Sequence, residues 1–368
     1  MNKNDNKTSI NTKFHFTSLD IPLPQLRDVS ILAASPRSNT NGDWLLFTSD
    51  SKLLLLKNHQ NTATTLLQLD QNQIDCRGHI QLVCSDNGQY IAISSLVDES
   101  NNIGWIIDLN TKQPILKLDS GDYRTGHTDF PVAFLEENNN TLLIHATDWD
   151  RLDITDLSTL TCITQRNFDN KPENWEDNDE AFSEWYGKLL ISPNKQWIAS
   201  IGWVWHPLGV MLSWDLQAWL RSNIWEADFG MSKRQLCVWD YFWDSPFCWV
   251  NDTHLCIWGH SEADNGSDIP LDTAAVFDVT TGELVRSFPG PTMDIFYFDQ
   301  YLFSGTPGEK TEERHSPGQH LTVWDITNGT LLHQEDNLTP IAYHPISKTF
   351  LSLKNEGTVT LTIWKINA

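Results

Sequence analysis

An all-β fold built by repeating one four-stranded unit is predicted by three observations. First, a strand ending recurs along the 368-residue chain: a bulky apolar residue, an Asp or Lys, then another apolar residue. It reads Trp105-Ile106-Ile107-Asp108-Leu109, Arg151-Leu152-Asp153-Ile154, Leu212-Ser213-Trp214-Asp215-Leu216, Val276-Phe277-Asp278-Val279, Val323-Trp324-Asp325-Ile326 and Ile363-Trp364-Lys365-Ile366. Second, turn sequences recur in step with it. Third, the interval, roughly 40–60 residues of mostly strand pattern, is the length of one β-propeller blade.

Each unit reads as four short strands, a to d from axis to rim. In the second unit, Ile80 to Cys84 is a, Tyr90 to Ser94 is b, Gly104 to Leu109 is c and Pro114 to Leu118 is d. Ser85-Asp86-Asn87-Gly88-Gln89 joins a to b, because Asp and Asn tolerate turn geometry and Gly supplies positive φ. The same a–b turn returns at Ser35-Pro36-Arg37, Ser192-Pro193-Asn194 and His344-Pro345-Ile346. The c–d turn is clear at Thr280-Thr281-Gly282-Glu283 and Thr327-Asn328-Gly329-Thr330.

Seven units follow, with c strands ending near Lys57, Asp108, Asp153, Asp215, Asp278, Asp325 and Lys365. The seventh has no d strand of its own after Lys365. Phe14 to Leu19 offers a spare strand ahead of the first unit's a strand at Val29 to Ala33. An unpaired sheet edge is a liability that ring closure removes. The prediction is therefore a single seven-bladed β-propeller over residues 13–368, its four-stranded antiparallel blades closed by the N-terminal strand, with residues 1–12 disordered. Leu216-Gln217-Ala218-Trp219-Leu220 has i, i+3, i+4 apolar spacing and predicts a short helix. Gly230 follows it, and the Trp-rich run Trp239 to Trp249 is the edge expected to receive it.

Trp214-Asp215 and Trp324-Asp325 at strand ends, with the Ser-Pro and Asp-Asn turns, resemble the WD40-repeat propellers over nearly the whole chain. The pattern is degenerate, as in stand-alone bacterial WD40-like proteins. Gly78-His79, Gly126-His127 and Gly259-His260 do not recur in phase, so the hydrogen-bonded network of that family is expected to be missing from most blades. Trp149-Asp150 and Trp239-Asp240 fall outside the c-end position.

The charge balance, 25 basic against 48 acidic residues for a net of −23, argues against duplex nucleic acid and against anionic membranes. It favours a basic protein partner, or solubility alone. Met1 to Ser18 lacks an apolar leader core and no run approaches a membrane span, so a cytoplasmic monomer is expected. The six cysteines show no C-x-x-C spacing, and four of them sit inside strand patterns and read as small core residues, with Cys248 and Cys256 able to face each other across a hairpin.

The long connections, Ser120 to Pro131, Asn167 to Tyr186, Trp203 to Gly209, His260 to Asp272 and Gly305 to His320, fall mostly on the face carrying the b–c and d–a loops. Recognition residues concentrate on such loops. Asn167 to Trp185 carries Glu176, Asp177, Asp179 and Glu180 together with Trp185, and reads either as a solvated loop or as an acidic lip. Trp203, Trp205 and His206 read either as internal packing or as an exposed aromatic platform. No catalytic motif, cofactor-binding loop or metal spacing is found; Glu262 to Asp268 resembles a calcium loop but lacks its closing Glu.

The expected function is thus a non-catalytic module, an inhibitor or a scaffold, binding a basic protein through Glu176, Asp177, Asp179, Glu180, Trp185, Trp203, Trp205 and His206. The alternative is a propeller-type enzyme or small-ligand binder with its site in the axial channel.

Overall fold

The computed structural model describes residues 14–58, 60, 62–70, 73–98, 101–167, 184–259, 273–291, 296–310, 315–354 and 357–366. They form seven sheets of four antiparallel strands each, a seven-bladed β-propeller. Blade 2 shows the unit: His79–Cys84, Tyr90–Asp98, Asn101–Asp108 and Gln113–Asp119, each paired with the next. Blade 4 comprises Trp185–Ile191, Trp197–Trp205, Leu208–Asp215 and Arg234–Asp240.

Blade 7 closes the ring as the unpaired edge demanded. Pro340–His344, Thr349–Lys354 and Thr358–Ile366 are joined by Phe14–Pro22 as the outermost strand. The register is continuous from Phe14 opposite Ile366 to Pro22 opposite Thr358. Phe14 and Ile21 are buried, and Phe14 meets Tyr301 edge-on with ring centroids 5.0 Å apart. Residues 1–12 lie outside the described residues.

The recurrent Asp has one local job. Asp108, Asp278 and Asp325 each accept, through Oδ1, the backbone N–H two residues on, at 2.8 Å, and so close the c–d turn. In blade 4 the same carboxylate accepts from Ala218 N at 2.8 Å and becomes the N-cap of helix α1 (Leu216–Arg221). A second short helix, α2 (Glu226–Phe229), follows, with Gly230 at its end. On the a–b side, Asn87 and Asn194 accept from Gln89 N and Gln196 N at 2.8 and 3.0 Å.

Three expectations need correction. The third unit's c strand runs Arg151–Asp156, and Asp156, accepting from Ser158 N at 2.8 Å, is the turn-closing residue. Asp153 lies mid-strand and buried; Leu152-Asp153-Ile154 matches the apolar–Asp–apolar pattern, whereas the true strand end, Thr155-Asp156-Leu157, has a Thr in the first place. Helix α1 does not pack on the Trp239 run: Trp219 meets Trp214 in the core between blades 3 and 4, while Trp239 packs with Phe242 on the blade 5 side. Trp203 to Gly209 is no inserted loop but a hairpin tip, turned by His206 and Pro207 between the strands ending at Trp205 and starting at Leu208.

Trp214 and Trp324 are buried, as their strand-end positions require. Trp324 donates its indole N–H to Thr322 Oγ1 at 2.9 Å and Trp364 donates to the Tyr343 hydroxyl at 3.1 Å. Trp214, among the described residues, has no such partner, so the network is irregular from blade to blade. Cys248 and Cys256 stand directly opposite each other, both buried and reduced. Burial pushes the Cys248 thiol up to about 12, which suits a core residue and not a nucleophile.

Burial lowers the pKa of two histidines, His145 and His344, and each should make the fold less stable in acid; His145 has the larger expected effect. His145 sits in blade 3 with Nδ1 at 3.0 Å from the Ala146 carbonyl and Nε2 at 3.0 Å from Thr155 Oγ1. Nδ1–H therefore donates and Nε2 accepts, which is the neutral ring. Burial lowers its pKa to about 4. The unfolded chain, with an ordinary imidazole near 6.5, then binds more protons between those values, so stability is lost as pH falls from 6.5 to 4. The loss reaches about 3 kcal/mol. His145→Gln should lose less over that window in urea unfolding; equal losses in variant and wild type would remove His145 from the account.

Candidate functional site

The b–c tips and d–a connections of blades 3 to 5 bring an aromatic wall together on one face of the ring. Tyr123 comes from the connection into blade 3, Trp149 from that blade's b–c turn, and Trp185 opens the first strand of blade 4. Trp203, Trp205 and His206 come from the blade 4 hairpin tip, and Tyr241 and Trp243 from the connection into blade 5. Ring centroids are 5.2 Å apart for Tyr123–Trp149, and 4.6 Å for both Trp149–Trp185 and Trp185–Trp203. Trp203 and Trp205 stack at 5.3 Å and 26°. His206 meets Trp243 edge-on at 5.1 Å.

Backbone geometry makes this convergence possible. Trp203 is paired with Gly209, and a Cβ on Gly209 would lie 2.6 Å from the backbone nitrogen of Trp243. Only glycine lets the 241–246 connection approach the hairpin tip so closely. Tyr241 N then donates to the Pro207 carbonyl at 2.7 Å. On the other flank the Trp185 indole donates to the Tyr123 carbonyl at 2.7 Å.

Burial divides the wall into foundation and surface. Trp203 and Trp185 are buried, so neither is a face for direct contact, and the reading of Trp203 as an exposed platform is corrected: it is the floor on which Trp205 stacks. Trp205 and Tyr123 are each 49 % exposed and Tyr241 66 %. His206 is exposed as well. Glu176, Asp177, Asp179 and Glu180 lie outside the described residues, as does the stretch Glu262 to Asp268.

The ends of the acidic segment are nevertheless placed. Arg166, fully buried, holds Asp153 Oδ1 at 2.6 Å and Asp228 Oδ2 of α2 at 2.7 Å, and donates to the Leu152 carbonyl at 3.0 Å. Glu184 is ion-paired with Lys233. The carboxylates left exposed at this end of the wall are Asp148 and Asp150, on either side of Trp149. Asp150 keeps contact with solvent, yet its carboxyl is held above the usual range, by partial desolvation first and then by Asp148, Asp228 and Glu184.

The axial channel differs in character. Its mouth between blades 1, 2, 6 and 7 is a cavity of about 580 Å³, lined by Ile31, Ala33, Ile80, Leu82, Ile341 and Leu353, with His79 and His320 at its side. His79 Nε2 lies 3.3 Å from Asp129 and His320 Nδ1 2.9 Å from Asp336. Carboxylates do not converge in this lining, and no group of three or more metal-ligating side chains occurs among the described residues.

Tyr123, Arg124, Tyr241 and Trp243 were not singled out from sequence. Trp149 was legible in part, as a Trp-Asp pair out of phase with the strand ends, although the other such pair, Trp239-Asp240, lies within a strand.

No protein-family model and no curated protein matches the sequence. Among solved structures, a chain in the crystal structure of the mitotic checkpoint complex is similar, with a TM-score of 0.57 over 100 % of this chain and 97 % of that chain, at 9 % identity. Likeness at that identity establishes the fold. Matches of this kind extend to 830 chains, so shape alone selects no function.

Proposed function

We propose that this chain is a degenerate WD40-like propeller that acts without catalysis, binding a basic protein partner through the face carrying Trp205. The observation that carries the reading is the aromatic wall: half-exposed Trp205 and Tyr123 stand on a buried floor of Trp203 and Trp185. Interface hot spots are rigid aromatics of this kind, backed by packed side chains. The fold of a protein-complex component supports a protein-interaction role. The net charge of −23 supports a basic partner, drawn in by long-range attraction.

The two parts of the site should separate kinetically. Neutralising Glu176, Asp177, Asp179 and Glu180 should slow association roughly tenfold and flatten its salt dependence. Trp205→Ala should instead raise the dissociation rate about 30-fold, the loss of one aromatic hot spot. Surface plasmon resonance on a partner captured at low salt reads both rates. Unchanged rates in both variants would reject this face as the interface.

The axial cavity of about 580 Å³ favours a second reading, a small apolar ligand. Such a ligand would raise the melting temperature of wild type and of Trp205→Ala alike, and fail to do so for Ile80→Trp.

A further inference from the structure

Arg124 lies over the ring of Trp205, its guanidinium carbon 4.9 Å from the ring centroid. Its backbone is in the left-handed region, φ 53°, which costs a non-glycine residue free energy. The turn that places it is closed by Arg124 N donating to the Asp122 carbonyl at 3.0 Å. The arginine side chain remains exposed, and no ion pair to a carboxylate is found for it among the described residues. The most accessible tryptophan of the wall is thus covered by a cation from its own chain.

From this we infer that Arg124 is a resident stand-in, and that the partner is recognised by an arginine whose guanidinium takes its place on Trp205. The inference rests on the proposed binding face and names what that face reads. Three observations converge on it. The ring already accepts a planar guanidinium, which stacks on tryptophan better than an ammonium does. Trp203 stacks against Trp205 and holds it in place, so the platform is pre-organised. Asp148 and Asp150, both exposed, flank Trp149 in the adjoining part of the wall. A second arginine or the peptide's other basic residues would find their counter-charges there.

A self-ligand competes with the incoming one, and an exposed cation–π contact is weak enough to be displaced. Removing it should therefore tighten binding by about two- to fivefold, the inverse of the fraction of time the platform stands free. The probe is a capped peptide with three arginines spaced by Gly-Ser, alongside versions with lysine or with neutral citrulline at the same positions. Fluorescence anisotropy of the labelled peptides gives the affinities. Arg124→Ala should tighten the arginine peptide about two- to fivefold and leave the citrulline peptide unbound. Trp205→Leu, alone or combined with Arg124→Ala, should abolish the gain.

Unchanged or weaker binding of the arginine peptide to Arg124→Ala would overturn the inference. An equal gain for the lysine peptide would overturn the guanidinium assignment. The Arg124 side chain is exposed, so unaltered thermal unfolding should accompany the Arg124→Ala result. The two levels fail separately: a captured partner lost on Trp205→Ala, with no gain on Arg124→Ala, would keep the binding face and remove the self-ligand.

Discussion

Removal of residues 1–22 should abolish cooperative folding of blade 7 and drive the protein to aggregate. The deletion strips Phe14 and Ile21 from the core and leaves the edge of Thr358–Ile366 without its nine-residue partner. Burial of two such side chains contributes about 1.5–3 kcal/mol each. The lost ladder and the opened neighbouring core add to that, against a total domain stability of roughly 5–15 kcal/mol. Size-exclusion chromatography and urea unfolding test it. A synthetic peptide of residues 14–22 added in trans should restore solubility in part. A monomeric deletion variant with wild-type unfolding would show that the ring does not depend on this strand.

Arg166→Met should cost about 3–5 kcal/mol, the usual price of leaving a buried ion pair half-made. Asp228, whose side chain is nearly enclosed, loses its guanidinium partner in this variant, while buried Asp153 keeps only Arg151, at 2.8 Å. Burial already holds the Asp228 carboxyl above its ordinary range, even with Arg166 present. Without the arginine, protonation offers relief, so the deficit should shrink as pH is lowered toward 5. Adding Asp153→Asn and Asp228→Asn to the variant should recover part of the loss. A midpoint shift below about 1 kcal/mol in the single variant would mean that water replaces the arginine in the network.

The legible parts of this protein are those with a local cause. A turn-closing carboxylate recurs because each c–d turn needs one, and the helix after Asp215 shows in its apolar spacing. Ring closure followed from an unpaired edge and a spare strand. Blade 3 was misread because Leu152-Asp153-Ile154 imitates a strand end, while Arg151 and the more distant Arg166 hold Asp153 as a buried partner. The binding face was half legible. Trp203, Trp205 and His206 stand together in sequence, but their neighbours Tyr123, Trp149 and Trp243 arrive from other blades. Nothing local in a chain says which loop tips will meet across a ring. Nor does alternation separate Trp203 from Trp205: a register shift between them and the approach of residues 241–246 bury one and leave the other half-exposed.

The pairing of Phe14–Pro22 with Thr358–Ile366 also sets an order of events during synthesis. Ser18 and Thr362, whose hydroxyls lie 2.9 Å apart, are separated by 344 positions. A ribosome adding about 5–20 residues per second needs roughly 20–70 s to cover that distance. Of the strands in this ring, Phe14–Pro22 is made ahead of the others and is the last to be used. Through that interval it is a strand-forming segment with Phe14, Phe16 and Ile21 unpartnered, open to the unfinished blade of a second nascent chain. Exchange of this strand between copies is the misassembly this topology invites.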